Sequence, residues 1–212
     1  MLLVPLVLLA SQSQPATATI RPLPTSVRAE LKHGGFWHKG CPVSLSDLRV
    51  LTVRYIGFDG HVHTGQLVVN RAAGPPLAKV FRQLRRLHFR IHYMRLADMY
   101  GSKKSRPADD DVSGSFECRN AVPSPCSGGN STGNWSMHAY GLAVDINPTE
   151  NPYVGCGATR HPESRPYLDR SHHREGMVTR RVIGAFASIG WGWGGSWAGS
   201  TKDYMHFSST GH

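Results

Sequence analysis

Apolar and polar side chains alternate from Arg49 to Ile56, Asp59-Gly60 supplies a turn, and Gln66 to Asn70 is apolar again. Period-two alternation on both sides of a turn signal predicts a β-hairpin. Pro75-Pro76 then opens a helix, with Leu77, Val80, Phe81, Leu84, Leu87 and Ile91 on one stripe and Lys79, Arg82, Gln83, Arg85 and Arg86 elsewhere. The stripe is expected in the core and the arginines in water. Ile91 to Ala97 reads as a strand running into Asp98, Gly101 to Gly114 is polar, and Phe116 to Arg119 is a short extended piece. Ser124 to Asn134 is a Gly/Ser-rich loop. Near the C-terminus Met177 to Ile189 is amphipathic, with Val178, Val182, Phe186 and Ile189 on one stripe and Gly190 as its stop. Two segments lack periodicity. Ile20 to Pro42 is rich in Pro, Gly and His and reads as an ordered arm; Pro148 to Arg174 is a long irregular stretch, either a lid or surface filler.

Between the two helices lies Ser136-Met137-His138-Ala139-Tyr140-Gly141-Leu142-Ala143-Val144-Asp145-Ile146-Asn147. His138 and Asp145 are seven positions apart. On a continuous helix that spacing means roughly 10 Å of rise, whereas two ligands of one zinc must each come within about 2 Å of it. A bend at Gly141 between two short strands would let them converge. Alternation then places Ala143, Asp145 and Asn147 on one side and Leu142, Val144 and Ile146 on the other, a polar half-site on an apolar backing.

Composition narrows the class. The chain has 212 residues, 40% hydrophobic and 18% charged, which suits one folded domain with a substantial core. Leu2 to Ala10 is apolar, too short to span a bilayer, and is followed by polar residues and Ala16-Thr17-Ala18. That order reads as a secretory signal over residues 1–18, although no Lys or Arg precedes the apolar run. Four cysteines, Cys41, Cys118, Cys126 and Cys156, fit two disulfides in an oxidising compartment; three pairings are open, and none has C-x-x-C spacing. The net charge of +10 favours polyanions. No basic helix with interleaved aromatics points to nucleic acid, and a wall rich in carboxylates and phosphates is the expected surrounding.

The last segment supplies the missing chemistry. Trp191-Gly192-Trp193-Gly194-Gly195-Ser196-Trp197 combines aromatics with glycines, suited either to a substrate groove or to core around tight turns, and Lys202-Asp203-Tyr204-Met205-His206-Phe207 follows. His206 completes a His, Asp, His set that leaves one tetrahedral position open for water, as a catalytic site needs. Asp203 is the obvious base, with orientation of a ligand histidine as its alternative role. His61, His63, His172 and His173 lack third partners and are expected at the surface.

The pattern S-x-H-x-x-G-x-A-x-D at Ser136 to Asp145, joined to an acidic residue, two others and His-Phe at Asp203 to Phe207, resembles the D-alanyl-D-alanine carboxypeptidase family of zinc peptidases. That group includes L-alanyl-D-glutamate endopeptidases and shares its fold with Hedgehog domains. The resemblance is firmest over Arg95 to Phe207. It implies an α+β fold, a small mostly antiparallel sheet carrying the zinc site flanked by helices, with residues 19–74 as arm and hairpin and 75–212 as the zinc peptidase domain. It implies zinc on His138, Asp145 and His206, and Asp203 where many members have Glu. An upstream arginine, Arg119 or Arg95, would hold the substrate carboxylate, with Ser136 a further substrate-side candidate. The activity expected is removal of D-alanine from peptidoglycan stem peptides by a secreted or wall-associated monomer that binds no nucleic acid and does not stay inserted in a membrane. The alternatives are an L-alanyl-D-glutamate endopeptidase and a non-catalytic wall-binding module.

Overall fold

The structure is a computed structural model that describes residues 18–101, 107 and 109–212. All but the last residue of the expected signal lies outside the described residues, as does part of the polar 101–114 stretch. The hairpin forms as the alternation requires, from β2 (Leu48–Ile56) and β3 (Val62–Asn70), paired antiparallel from Leu48↔Asn70 to Ile56↔Val62. The arm contributes β1 (Ala18–Pro22), which pairs antiparallel with β2, and α1 (Thr25–His33). Leu51, Val53, Tyr55, Leu67 and Val69 bury on one side of this sheet, Leu48, Val50 and Val68 on the other. Both faces are covered, so the hairpin is a central layer rather than a surface flap.

The first face packs on α2 (Gly74–Arg86) through Leu77, Val80, Phe81 and Leu84. The same core takes in Val144, Ile146, Phe207 and the buried stripe of a later helix. The second face meets Val27 and Leu31 of α1, Phe116, and Leu96 and Tyr100 of α3 (Leu96–Tyr100). Beyond these, β4 (Ala143–Asp145), β7 (Gly192–Trp193) and β9 (His206–Ser208) form one antiparallel sheet in the order β4-β9-β7, and β5 (Tyr153–Gly155), β6 (Ala158–Thr159) and β8 (Lys202–Asp203) another in the order β6-β5-β8. The fold class is α+β with antiparallel sheets, as expected, although the strands divide among three small sheets rather than one.

Three elements differ from the sequence expectation. α2 stops at Arg86, before Ile91, because His88 takes a left-handed conformation (φ 54°) and the amide of Phe89 turns back to Leu84 O. Ile91 to Ala97 is no strand; single bridges at Arg90 and Tyr93 are followed by α3, which Asp98 starts by accepting the Arg95 amide at 3.1 Å and pairing with its guanidinium at 2.7 Å. The last helix, α4 (Arg180–Ala187), begins later than Met177 because the Thr179 hydroxyl caps the Val182 amide. Two disulfides join Cys41 to Cys118 and Cys126 to Cys156.

Candidate metal centre and catalytic cleft

The chain around His138 is tighter than two strands meeting at a bend. Met137–Tyr140 is a single 3-10 turn whose N-cap, Ser136, accepts the His138 amide at 3.3 Å. Gly141 closes it at φ 65°, where a Cβ would lie 2.6 Å from Asn70 N, so only glycine fits this turn against β3. The turn points His138 into the molecule. Its Nδ1–H donates to Ser115 O at 2.5 Å, which leaves the Nε2 lone pair facing the site.

The other two groups come from a strand pair. Asp145 on β4 lies directly opposite His206 on β9, with Val144 opposite Phe207. Alternation sends Val144 and Phe207 into the core and leaves Asp145 and His206 together on the other face. The three donors converge: His138 Nε2 is 3.1 Å from Asp145 Oδ2 and 3.2 Å from His206 Nδ1, which is 3.1 Å from Asp145 Oδ1. Tetrahedral bonds of about 2.0–2.1 Å imply donor separations of roughly 3.3 Å, so two imidazoles and a carboxylate at these spacings fit one zinc-sized cation. Among the described residues one other set of three potential ligands is close-packed, His38 with Cys41 and Cys118, and its sulfurs are joined in a disulfide. Burial works against ionised Asp145, but the charges and hydrogen bonds of His138 and His206 outweigh it and hold its pKa well below the usual carboxylate range.

These groups sit at the base of a cleft of about 520 Å³ that also exposes Asp203, Arg119, Trp135, Tyr153, Arg160 and Trp197. Asp203 Oδ1 is buried without a hydrogen-bond partner. Burial and the Asp145 charge push the Asp203 carboxyl up to about 7, against the pull of His206, Arg119 and the Met205 amide. Gly194 makes that position possible: a Cβ there would meet Asp203 O at 2.5 Å and Asp203 Cβ at 2.8 Å. Arg119 is anchored by Glu117 (Nε to Oε2, 2.8 Å); burial disfavours its charge, yet Glu117, Asp145 and Asp203 together raise its pKa. The walls are cross-linked. Cys126–Cys156 ties the loop after Arg119 to the β5–β6 hairpin, and Ser124 Oγ meets Thr201 Oγ1 at 2.7 Å.

Residues 129–209 match the family described as D-alanyl-D-alanine carboxypeptidase. The similarity is confined to that stretch. It spans His138, Asp145, Asp203 and His206, so the peptidase match and the converging donors fall on the same residues. Neither a curated protein nor a solved structure matches the chain. Of the residues singled out in the sequence, Ser136 lines the cleft with its hydroxyl engaged in the cap, and Arg119 lies beside the acids. Arg95 lies elsewhere, bound to Asp98 and bordering a separate hollow with Tyr55, His63 and His92. Sequence reasoning missed Ser115, whose contribution is a backbone carbonyl, and Arg160, Tyr153 and Trp135. Arg160 and Tyr153 lie where the sequence has no periodicity.

Proposed function

We propose that this protein is a zinc-dependent D-alanyl-D-alanine carboxypeptidase, exported and acting on peptidoglycan stem peptides. The observation that carries the reading is the convergence of His138, Asp145 and His206 beside a buried carboxylate with an unpartnered oxygen, Asp203 Oδ1, at the base of one cleft. A pure binding module has no need of that base. Bound by the three donors, zinc would supply Lewis acidity toward a carbonyl and lower the pKa of water.

The protein's own residues do the rest. Arg119, charged and held by Glu117, pairs with the free terminal carboxylate of the substrate and so fixes which amide lies over the three donors. Asp203, which lines the cleft beside the three donors, takes the proton of the attacking water on its carboxylate and returns it to the departing amine. Trp135 and Trp197 line the cleft and offer apolar surface to the substrate peptide. The two disulfides and the absence, among the described residues, of a helix long and apolar enough to cross a membrane fit an exported protein.

The test compares a free-acid pentapeptide ending in D-Ala-D-Ala with its C-terminal amide, in wild type, Arg119→Ala and Arg95→Ala. The wild type should strongly prefer the free acid, Arg119→Ala should lose that preference, and Arg95→Ala should keep it. Equal cleavage of both peptides by the wild type, or release of L-alanine with the D-Ala-D-Ala end intact, would replace this reading with the endopeptidase one.

A further inference from the structure

A run of unpaired positive charge lies along α2 and the start of α4. From Gly60 to Ala97 and again from Gly176 to Lys202 the sequence contains no Asp or Glu, and these stretches include α2 and α4. Lys79, Arg82 and Arg86 follow one another at helical spacing along the exposed side of α2, and Arg180 and Arg181 are exposed at the start of α4. Among the described residues none of these five is in an ion pair. Glu175, which borders the same hollow, is paired with Arg90 at 2.5 Å.

The face is also concave. A hollow of about 510 Å³ bordered by His88, Arg90, Arg180 and Arg181 continues, through the shared Leu87 and Arg181, into one of about 370 Å³ bordered by Arg86 and Gly184. Three choices along this trough run against local backbone preference. His88 occupies a left-handed position (φ 54°) that glycine would take without strain. Gly184 stands inside α4, where alanine is the better helix former, although a Cβ there would meet nothing within 4 Å. Arg180 and Arg181 fill a first turn in which the helix dipole favours acids. Together they give a positive, unobstructed channel, the outcome expected where a surface is kept for binding.

We infer that this trough docks a linear phosphodiester polymer of the cell wall, a chain of polyol phosphate repeats. Arginine forks match phosphate oxygens, and a run of them along a groove suits repeating anions. A lipid surface fits less well, because no large hydrophobic residue on α2 or α4 is exposed. Single-stranded nucleic acid needs aromatic platforms, and Phe89, the aromatic bordering the trough, is buried. The trough is remote from the cleft: α4 stacks Phe186 on Phe207 at 3.8 Å, on the side of β9 opposite His206. A docked polymer therefore leaves the cleft open. The choice of a wall polymer rests on the peptidoglycan reading of the cleft; the trough itself does not.

The experiment measures binding of a labelled poly(glycerol phosphate) oligomer to the full protein by fluorescence anisotropy at two salt concentrations, with hydrolysis of a soluble stem peptide measured separately. Arg86→Gln/Arg180→Gln/Arg181→Gln should weaken binding roughly tenfold or more and flatten its salt dependence, with peptide hydrolysis unchanged. Gly184→Leu, which fills the trough without altering charge, should also weaken binding. His88→Gly should raise the melting temperature yet weaken binding. Unchanged affinity in the triple variant, equal affinity for poly-aspartate, or tighter binding to DNA or to phosphatidylglycerol vesicles would overturn the inference. Loss of peptide hydrolysis in the wild type alone would overturn the proposed activity and leave the trough standing.

Discussion

Glu150 offers a quantitative test of how the segment behind the cleft is held. Only 4% of the residue is exposed, its Oε2 is buried without a hydrogen-bond partner, and Asp111, 1% exposed, is its neighbour. The two oxygens of Asp111 are engaged, one accepting the Thr149 amide at 2.9 Å and the other facing His92 Nδ1 at 2.8 Å. Burial first, then the Asp111 charge and hydrogen bond, push the Glu150 carboxyl from an ordinary 4.5 up to about 8. Below about 4.5 both folded and unfolded chains hold the proton and the contribution to stability is fully present. Between about 4.5 and 8 the unfolded chain has released a proton that the folded protein keeps. Stability therefore falls with rising pH by up to about 1.4 kcal/mol per unit, and levels off above about 8. Local relaxation and water entry trim the total, so a loss on the order of 2 kcal/mol is expected across the window.

Glu150→Gln keeps the shape and a donor toward Asp111 but cannot ionise. Urea unfolding of wild type and variant at intervals from pH 5 to pH 8 reads the difference directly, because every other titrating group is common to both. The two should be close in stability at pH 5, and the variant should be the more stable at pH 8. Parallel profiles would refute the reasoning. The result bears on the cleft, since Glu150 O accepts Arg170 Nη1 at 2.7 Å and the Arg170 guanidinium lies 4.5 Å over the ring of Tyr204, the residue next to Asp203.

Asp203→Asn should retain one bound zinc by metal analysis while losing roughly 100- to 10,000-fold in turnover, whereas His206→Ala should lose the metal; near-normal turnover of a zinc-loaded Asp203→Asn would give the carboxylate a positioning role instead. Gly194→Ala should lower stability by about 1–3 kcal/mol in chemical denaturation and reduce turnover, because its Cβ would lie 2.5 Å from Asp203 O and backbone has to move. Gly184→Ala, with open space around its Cβ, should instead stabilise by about 0.5–1 kcal/mol, and equal effects at the two glycines would show that contact distance does not decide their cost.

The elements legible in the sequence are those whose pattern is set by burial. The stripes of α2 and α4 are legible because each reports one apolar face, and the β2–β3 hairpin because its alternation brackets a turn signal; the helix ends are set by local features that a stripe does not report, Thr179 capping α4 and His88 turning the chain after α2, as is the start of α3 at Asp98. β1 and α1 were not separable within the arm. Ile20-Arg21-Pro22 is an edge segment with no buried alternation to report, and α1 buries only Val27 and Leu31. Disulfide pairing was not legible either, since Cys118 and Cys126 lie close in sequence but bond to partners far apart along the chain, Cys41 and Cys156.

The donors of the candidate centre were readable for a different reason: their chemistry restricts residue type, and two short motifs hold all of them. What the sequence left open was which arginine accompanies them, and the difference is local. Arg95 has Asp98 three positions on, in the geometry of a helix start, and is consumed by that carboxylate. Arg119 has Glu117 two positions back, and the bond from Nε to Oε2 holds the guanidinium by one edge while Asp145 and Asp203 draw its charge toward the cleft. Spacing to the first motif could not separate the two, because neither partner's geometry is encoded in distance along the chain. The identity and offset of the neighbouring acid could. An acid three residues after an arginine at a helix start can accept that arginine's own amide and pair with its guanidinium, whereas an acid two residues before an arginine in extended chain lies on the same face of it and holds the guanidinium by its Nε edge.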